Sequence, residues 1–454
     1  MFASVNPATG ATLATYPAMT TPELRAALGA ADKAFRAWQR VPLAERAALV
    51  RRAGALLRER AEHHARLMSE EMGKPIRGAR AEVEKSAWAC DHYAEHAAAF
   101  LADEPVETDA GRSFVTYRPL GPVLAVMPWN FPYWQIFRVA APGLMAGNVI
   151  LLKHAANVPG SALAIEAVFR DAGFPEGTFR TLLIDHAQLR TAIRHKAVRA
   201  VTLTGSTAAG RLVAKQAGER LKKTVLELGG SDPYLILADA DLDLAVEACA
   251  TSRLINSGQS CIAAKRFVVV DAVRQEFERR LVERMARAKV GNPLADDTDV
   301  GPLARADLRD TLHRQVEVSV AEGARVLLGG AVPAGAGAFY PPTVLTDVAK
   351  GMPAYDEELF GPVAAIIPVR NAKAAIKVAN DSVYGLGAAV FTRDIEEGTR
   401  IAAEELEAGS AFVNAFVRSD PRLPFGGIKE SGYGRELGVQ GIREFVNIKT
   451  VWVK

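Results

Sequence analysis

Apolar residues in the first quarter of the chain recur at helical spacing among Ala, Arg and Glu. Thr21-Pro22 predicts a helix start, with Thr21 as the N-cap and Pro22 in the first turn. One helical stripe then follows, made of Leu24, Leu28, Ala31, Phe35 and Trp38. The helices of this quarter show no chemical signal, so they predict packing rather than catalysis.

From residue 113 onward, short and nearly continuous apolar runs alternate with helical segments. The strand candidates of this part are 113–119, 123–127, 148–152, 200–204 and 224–226. Apolar strands separated by helices predict an α/β fold with a parallel sheet covered on both faces. Such sheets bind ligands at the carboxyl ends of their strands.

A second α/β stretch begins near Ser231. Its strand candidates are 234–237, 267–270, 364–367 and 388–391. A helix is predicted to open at Asp271 and to close at Gly291, with Val273, Phe277, Leu281 and Met285 on one stripe. The Ala/Gly/Pro run at 331–338 predicts a surface loop. The tail predicts strands at 445–448 and 451–453 that could reach across to a partner subunit.

The bulk composition limits the possible classes of function. A chain of 454 residues is too long for one ordinary core, and 49% apolar with 24% charged residues is typical of a soluble globular protein. The net charge of +3 comes from interspersed basic and acidic residues, which predicts no nucleic-acid partner. No signal peptide and no membrane-spanning run is visible, so no membrane association is expected.

Three widely spaced cysteines, Cys90, Cys249 and Cys261, predict neither a disulfide framework nor a metal site. They favour the reducing cytosol, and hence a cytoplasmic protein. Cys261 ends the small, polar loop 256–261, where a thiolate could act as a nucleophile. The alternative is a buried structural thiol, which is the expectation for Cys90 and Cys249 in their helical segments.

Glu227 and Asn130 each follow a predicted strand. Glu227 precedes two glycines, and partial burial there would suit it to take a proton from water. Its alternative role is a structural salt bridge. Asn130 lies between two prolines, where its amide could donate to a developing oxyanion or could only shape a turn.

The segment 204–210 lies between a strand candidate and a helix predicted over 211–222. It carries Gly205 and Ser206, and such a position suits the pyrophosphate of a dinucleotide, which would meet backbone N–H groups there. Only the last two positions of the usual glycine fingerprint are filled. An ordinary strand–turn–helix is therefore the alternative.

Together these segments resemble the aldehyde dehydrogenase superfamily over nearly the whole chain. The matching motifs, in order, are Pro128-Trp129-Asn130-Phe131-Pro132, Lys153 after its strand, Thr204-Gly205-Ser206, Glu227-Leu228-Gly229-Gly230, Gly258-Gln259-Ser260-Cys261, Glu358-Leu359-Phe360-Gly361-Pro362 and Pro424-Phe425-Gly426-Gly427. The order and spacing of these motifs are far more specific than any one of them.

The resemblance implies a role for each matching residue. Cys261 would be the nucleophile, Glu227 the general base, and Asn130 with the backbone N–H of Cys261 the oxyanion site. Lys153 would bind the adenosine ribose of NAD or NADP, Gly205 and Ser206 the pyrophosphate, and Glu358 the nicotinamide ribose, while Trp129 and Phe360 would shape the nicotinamide and substrate pockets.

The resemblance also implies the domain organisation. A Rossmann-type NAD(P)-binding domain would comprise 1–101 and 120–230, and an α/β catalytic domain 231–435. A small oligomerisation sheet would combine 102–119 with 436–454, which implies a homodimer or homotetramer.

Within the superfamily, the likeness is greatest to bacterial NAD(P)-dependent succinate-semialdehyde dehydrogenases. Arg138 would bind the substrate carboxylate, and Arg422, or else Arg418, would supply a second cation, although Ile255 stands where some of these enzymes have another arginine. The alternative is a broad-specificity aldehyde dehydrogenase. Glu227 argues against the CoA-acylating branch, which generally lacks this glutamate.

Two further positions depart from the common pattern. Val139 replaces a lysine that is common in the superfamily and linked there to proton relay. Ala156 replaces a glutamate with which many NAD-preferring members bind the adenosine ribose. A glutamate would repel a 2′-phosphate and an alanine would not. We therefore expect both NAD⁺ and NADP⁺ to be accepted.

Overall fold

The computed structural model describes all residues, Met1–Lys454, and has a mixed α/β architecture. Its first half contains β1 (Phe2–Val5), β2 (Thr12–Tyr16), α1 (Thr21–Trp38), α2 (Leu43–Glu59), α3 (Ala61–Met72), α4 (Ile76–Phe100), β3 (Glu104–Pro105), β4 (Arg112–Pro119), β5 (Pro122–Met127), α5 (Trp134–Ala146), β6 (Val149–His154), α6 (Pro159–Asp171), β7 (Phe179–Thr181), α7 (His186–Arg194), β8 (Ala200–Thr204), α8 (Thr207–Gly218) and β9 (Lys223–Glu227).

The second half alternates strands and helices in the same way. It contains β10 (Asp232–Ile236), α9 (Leu242–Leu254), β11 (Ala264–Val270), α10 (Asp271–Ala286), α11 (Ala306–Ala321), β12 (Arg325–Leu328), β13 (Thr343–Thr346), α12 (Pro353–Asp356), β14 (Val363–Val369), α13 (Ala372–Asn380), β15 (Tyr384–Gly385), β16 (Gly387–Phe391), α14 (Ile395–Arg400), β17 (Ser410–Val413), β18 (Ile428–Lys429), β19 (Gly432–Tyr433), α15 (Gly438–Arg443) and β20 (Val446–Val453).

A six-stranded sheet of order β19-β9-β8-β5-β6-β7 forms the centre of the first half. All its neighbours are parallel except β19, which runs antiparallel to β9. The chain runs from β5 outward through β6 to β7 and then returns to β8 on the other side of β5. The strand order therefore reverses between β5 and β8, and the carboxyl ends of these two strands form a crevice suited to a ligand.

A seven-stranded sheet of order β12-β13-β14-β11-β10-β16-β17 forms the centre of the second half. Only the edge strand β12 is antiparallel to its neighbour. A cluster of 67 buried apolar residues surrounds the six-stranded sheet, and separate clusters pack on the seven-stranded sheet, so the two sheets have separate cores. The predicted parallel α/β fold class is confirmed.

A third sheet joins distant parts of the chain in the order β20-β4-β3. β20 pairs antiparallel with β4 over its whole length, from Val446 opposite Pro119 to Val453 opposite Arg112. The two tail strands predicted at 445–448 and 451–453 are thus one continuous strand. The proposed domain boundaries stay a prediction. β19, which lies in the predicted catalytic segment, pairs with β9 of the six-stranded sheet.

Three predicted helix ends were wrong, each for a local reason. Thr20 rather than Thr21 caps α1, because its side chain and that of Glu23 form a reciprocal capping box. α8 begins at Thr207 rather than Arg211, because the hydroxyl of Ser206 accepts the N–H of Ala209. α10 ends at Ala286 rather than near Gly291, because the following chain turns extended and Val290 bridges to Val300.

None of the helices combines the length and the apolar character that a bilayer crossing requires. The run 331–338 is irregular and largely exposed, as predicted.

Candidate active site

The loop that carries Cys261 has an unusual backbone. After α9, the residues Asn256, Ser257 and Gly258 all adopt positive φ angles of 53°, 57° and 77°. Such angles cost non-glycine residues about 1 kcal/mol or more each, so they persist only where surrounding contacts fix them. A Cβ at Gly258 would lie 2.2 Å from the carbonyl carbon of Gly361, which explains the glycine at this position.

Hydrogen bonds from three directions hold this loop. Arg253 donates to the carbonyl of Gly258 (2.5 Å), and the N–H of Gly301 donates to the hydroxyl of Ser257 (2.9 Å). The ammonium group of Lys265 donates to the carbonyls of Cys261 (2.7 Å) and Ser260 (3.0 Å). The thiol is therefore held on a rigid loop.

Charges of both signs act on the Cys261 thiol. Burial raises its pKa to about 12, Arg138 and Lys265 oppose that shift, and Glu358 and Glu227 add to it. Burial thus disfavours the thiolate, and the two neighbouring cations favour it. Cys90 and Cys249 are fully buried in α4 and α9, so both are structural, as predicted.

Asn130 is buried beside the cysteine loop. Its Nδ2 donates to the carbonyl of Gln259 (3.2 Å), and its Oδ1 accepts from Nε2 of Gln135 (3.0 Å). Asn256 donates through its Nδ2 to the carbonyls of both Asn130 (2.7 Å) and Gln259 (3.1 Å). The side-chain N–H of Asn130 is thus directed toward the segment immediately before the thiol.

Glu227 is the last residue of β9 and is 2% exposed. Neither of its carboxylate oxygens has a hydrogen-bond partner. Burial raises its pKa well above the ordinary range, and the nearby Glu436 raises it further. Gly426 allows the close approach of this side chain, because a Cβ there would lie 2.7 Å from Glu227 Oε1.

Arg138 projects from α5 and forms an ion pair with Glu436, with 2.6 Å between Nε and Oε2. Both side chains are 3% exposed. Its Nη2 also donates to the hydroxyl of Thr204 (3.3 Å), and its guanidinium lies over the ring of Phe425. Arg138 therefore reaches the site with its charge largely compensated.

Lys153 fits the ribose-binding role that its motif implies. It lies on β6 itself, because the strand continues to His154 beyond the predicted end at 152. It is 8% exposed, and no charged or hydrogen-bonding partner acts on its amine. Burial lowers its pKa, since the charged form is desolvated. A buried amine without a protein partner is suited to an external oxygen ligand.

The pyrophosphate and nicotinamide positions also fit a dinucleotide. Gly205 and Ser206 connect β8 to the exposed N-terminal turn of α8, whose N–H groups can bind an anion. Glu358 accepts the N–H of Gly230 (3.0 Å) and lies 3.7 Å from Lys265 Nζ. Trp129 and Phe360 pack edge to face with 5.8 Å between ring centroids. These residues together offer contacts for the pyrophosphate and for the nicotinamide end of a dinucleotide.

Ala156 is exposed in the loop after β6. It offers no carboxylate to an adenosine ribose there. In the same loop, Nδ2 of Asn157 is buried without a hydrogen-bond partner.

A cavity of about 620 Å³ opens above Cys261. Its walls come from α4, α5, the cysteine loop and the segment 416–419. Arg138 and Arg418 line it, as does Ile255. Arg422 does not line it: the side chain is 66% exposed and forms a bidentate pair with Asp420. The expectation that Arg422 supplies a substrate-binding cation is therefore unsupported, because Asp420 already holds it outside the cavity.

The aldehyde dehydrogenase family model matches residues 1–451. This chain belongs to the aldehyde dehydrogenase family. It is 50% identical to a probable succinate-semialdehyde dehydrogenase [NADP(+)] of Synechocystis over 451 residues, covering 99% of both chains. It is 49% identical to the succinate semialdehyde dehydrogenase [NAD(P)+] of Escherichia coli, covering 99% of this chain and 97% of the relative.

Solved structures agree with these likenesses. The succinic semialdehyde dehydrogenase of Streptococcus pyogenes, solved in complex with NADP⁺, is 39% identical, has a TM-score of 0.98 and is covered completely by this chain. The aldehyde dehydrogenase-like fold expected from the motifs is thereby confirmed.

Four residues of the enzyme's site were not singled out from the sequence. Glu436 acts on the Glu227 carboxylate, and Lys265 acts on the Cys261 thiol. Arg253 binds the carbonyl of Gly258 in the cysteine loop, and Lys85 lines the cavity from α4. Lys265 follows the Cys261 motif by only four positions and could have been suspected from that proximity. Nothing local in the sequence connects Lys85 or Glu436 with the site, because only the tertiary fold brings them there.

Proposed function

We propose that this enzyme oxidises succinate semialdehyde to succinate with NADP⁺ or NAD⁺, through a covalent intermediate on Cys261. The observation that carries the proposal is the charge of the cavity above the thiol. Its lining includes six basic side chains, Lys74, Arg77, Lys85, Arg138, Arg284 and Arg418, against two acidic ones, Glu82 and Asp299. Such a balance favours an aldehyde that carries an anionic group. The names of the relatives from Synechocystis and E. coli support the same substrate.

The first chemical step would use the thiol and the amide beside it. Cys261 loses its proton to water, and its sulfur adds to the aldehyde carbon. The oxyanion then forms next to the Nδ2 of Asn130 and the backbone N–H of Cys261. Loss of one such donor typically costs about 3–4 kcal/mol of barrier. Lys153, Ser206 and Glu358 would hold NAD(P)⁺, which would supply the hydride acceptor, and the adduct on Cys261 would become a thioester when it loses hydride.

The second step would use Glu227. Its high pKa makes it a strong base once it is ionised, and its unpartnered oxygens can accept a proton from water. The resulting hydroxide attacks the thioester carbonyl, the carbon–sulfur bond breaks, and the free acid leaves. Arg138 can donate a guanidinium N–H to the substrate carboxylate, although its net charge is offset by Glu436.

Acceptance of both cofactors follows from the loop after β6. Ala156 places no negative charge where it would repel a 2′-phosphate, and Lys153 is a nearby unpaired cation. The solved relative with NADP⁺ supports the use of this cofactor.

We also infer that the enzyme is a homodimer or homotetramer. β20 is an edge strand with exposed Ile448, Trp452 and Val453. Native proteins rarely leave an apolar edge strand uncovered, because it invites pairing with another chain. The free state of all three cysteines supports a reducing, cytoplasmic location.

The test is a substrate panel with the purified enzyme. We expect kcat/KM for succinate semialdehyde to exceed that for butanal by about 100-fold or more, because an ion pair and hydrogen bonds to the carboxylate are added. The product should be succinate, and added CoA should not divert it to a thioester. Equal values for the two aldehydes would instead identify a broad-specificity aldehyde dehydrogenase.

A further inference from the structure

The basic side chains that line the cavity differ in whether the protein already neutralises them. Lys74 is paired with Glu82, Arg77 with Asp299, and Arg284 with Glu247. Arg138 is paired with Glu436. Only Lys85 and Arg418 lack a carboxylate partner, and Arg418 is exposed. Lys85 is therefore the one partly buried cation of the cavity that forms no ion pair with a carboxylate.

The position of Lys85 follows from the geometry of α4. Ala81 and Glu82 lie three and four residues after Gly78, and four and three residues before Lys85, so the four residues share one helix face, and all of them line the cavity. The stem of Lys85 is partly buried, and its Nζ lies 4.4 Å from the centre of the Trp134 ring. Packing against the ring restricts the long side chain, which lowers the entropy cost of binding an anion there.

A single hydroxyl group connects Lys85 to the opposite wall. Ser419 Oγ accepts from Lys85 Nζ (3.0 Å) and from Trp134 Nε1 (3.1 Å). These two donors use both lone pairs of the oxygen, so the Ser419 O–H has to donate elsewhere. Ser419 is 7% exposed and its hydroxyl donates to no protein acceptor. The remaining N–H groups of Lys85 and this O–H are thus donors without acceptors.

We propose that Lys85 is a specificity-determining residue that binds the carboxylate of the semialdehyde substrate. This inference rests on the proposed function. It assigns the uncompensated positive charge to α4, because the charge of Arg138 is offset by Glu436 and Arg422 is paired with Asp420 outside the cavity. The substrate carboxylate would accept a hydrogen bond from the Lys85 ammonium group and would form the ion pair that no protein carboxylate forms with it. A charge-assisted hydrogen bond of this kind is roughly twice as strong as a neutral one.

The charged groups around Lys85 do not satisfy it. The carboxylate of Glu82, one turn earlier on α4, accepts from the N–H groups of Tyr133 and Trp134 and is paired with Lys74. Asp420 is held by Arg422. Burial lowers the pKa of Lys85 to about 8, and the like charges of Arg138 and Arg418 add to this shift, whereas Asp420 and Glu82 oppose it. Neither carboxylate forms an ion pair with Lys85, and its ammonium group lines the open cavity.

The test compares succinate semialdehyde with butanal, which has the same carbon chain without the carboxylate. For Lys85→Met, we expect the ratio of their kcat/KM values to fall about 10- to 100-fold, as for loss of one charge-assisted hydrogen bond. The fall should lie mainly in KM for the semialdehyde. Lys85→Arg should recover most of the ratio, because it restores the charge. Lys85→Gln, which keeps a polar group of similar length, should resemble Lys85→Met.

Two control variants remove other cations of the cavity. Arg284→Met removes a basic side chain that Glu247 already neutralises, so the ratio should change by less than about threefold. Arg418→Met removes the exposed unpaired cation. If only Arg418→Met lowered the ratio, or if Lys85→Met kept it within about threefold of the wild type, the assignment of Lys85 would be overturned. A wild-type ratio near unity would overturn the proposed substrate itself, and the role of Lys85 with it.

Discussion

The Nε atom of Arg138 lies 2.6 Å from Oε2 of Glu436, and neither side chain is more than 3% exposed. Glu436 also raises the pKa of Glu227, whereas Arg138 lowers it. The pair therefore acts on the general base of the proposed mechanism, in addition to filling space between α5 and the segment before α15. A residue first considered for substrate binding is thus electrostatically linked to the base.

Removal of the Glu436 charge should move the pH dependence of kcat. A base whose pKa is raised becomes active only as pH rises, so kcat should increase with pH in the wild type. Glu436→Gln removes a negative neighbour and frees the positive charge of Arg138, and both changes lower the pKa of Glu227. We expect the rising limb of kcat to shift by about one unit toward lower pH, as is usual for one close charge.

The matching control is Glu430→Gln, which neutralises an exposed carboxylate paired with Arg211 outside this cluster. Its profile should coincide with that of the wild type. If the rising limb of the kcat profile of Glu436→Gln stayed in place or moved to higher pH, Glu436 would not act on the pKa of Glu227.

Glu227→Gln should separate the two halves of the reaction. The amide cannot take a proton from water, so thioester hydrolysis should slow by about 100-fold or more, within the usual range for general-base catalysis. The adduct and hydride steps do not require this carboxylate in the proposed sequence. Stopped-flow absorbance should therefore show a burst of NAD(P)H stoichiometric with enzyme, followed by slow turnover. Absence of any burst would remove Glu227 from the hydrolytic step.

Ala156→Glu should reduce the use of NADP⁺. The new carboxylate would stand in the loop after β6, where it would repel a 2′-phosphate and could bind ribose hydroxyls. We expect the ratio of kcat/KM for NADP⁺ to that for NAD⁺ to fall about tenfold or more, corresponding to about 1.4 kcal/mol. Ala156→Gln, of similar size without charge, is the control and should change the ratio much less. Equal effects of the two variants would mean that the size of the side chain at position 156, and not its charge, determines the cofactor preference.

Titration of Lys85 should appear in substrate preference. Its pKa is lowered to about 8, so its positive charge is present below that pH and is lost as pH rises through it. The ratio of kcat/KM for succinate semialdehyde to that for butanal should therefore fall above pH 8. Groups common to both substrates, such as Cys261 and Glu227, cancel in this ratio. In Lys85→Arg the fall should disappear, and a ratio that stayed flat in the wild type would contradict the assignment.

Much of the architecture could be predicted from local patterns. The strands β5, β8, β11 and β16 each contain a nearly continuous apolar run, because both faces of a parallel sheet are buried. The positions of Glu227 and Asn130 after strands followed from the apolar runs before them, and that of Cys261 on a loop followed from the small polar residues around it. These features depend on residues close in sequence, and short-range reasoning is sufficient for them.

The electrostatic partners could not be predicted in this way. Glu436 reaches Arg138 only because the segment after β19 returns to the first sheet. Lys85 belongs to an Ala- and Glu-rich helix whose sequence indicates packing alone, yet α4 forms a wall of the cavity. Ser419 similarly acquires its two donors from α4 and α5. Charge compensation depends on distance in space, which the order of residues does not encode directly.

The contact between Gly258 and Gly361 has a practical consequence for protein engineering. Bare backbone meets bare backbone there, and a methyl group at Gly258 would lie 2.2 Å from its neighbour. The loop that carries the thiol and the loop after Glu358 therefore leave no space for a side chain between them. Random libraries that include either glycine will mostly yield inactive clones, because any side chain there would displace the thiol. Attempts to redirect this catalyst toward other aldehydes are better confined to residues of α4 that line the cavity without a buried ion pair, such as Gly78, Ala81 and Lys85.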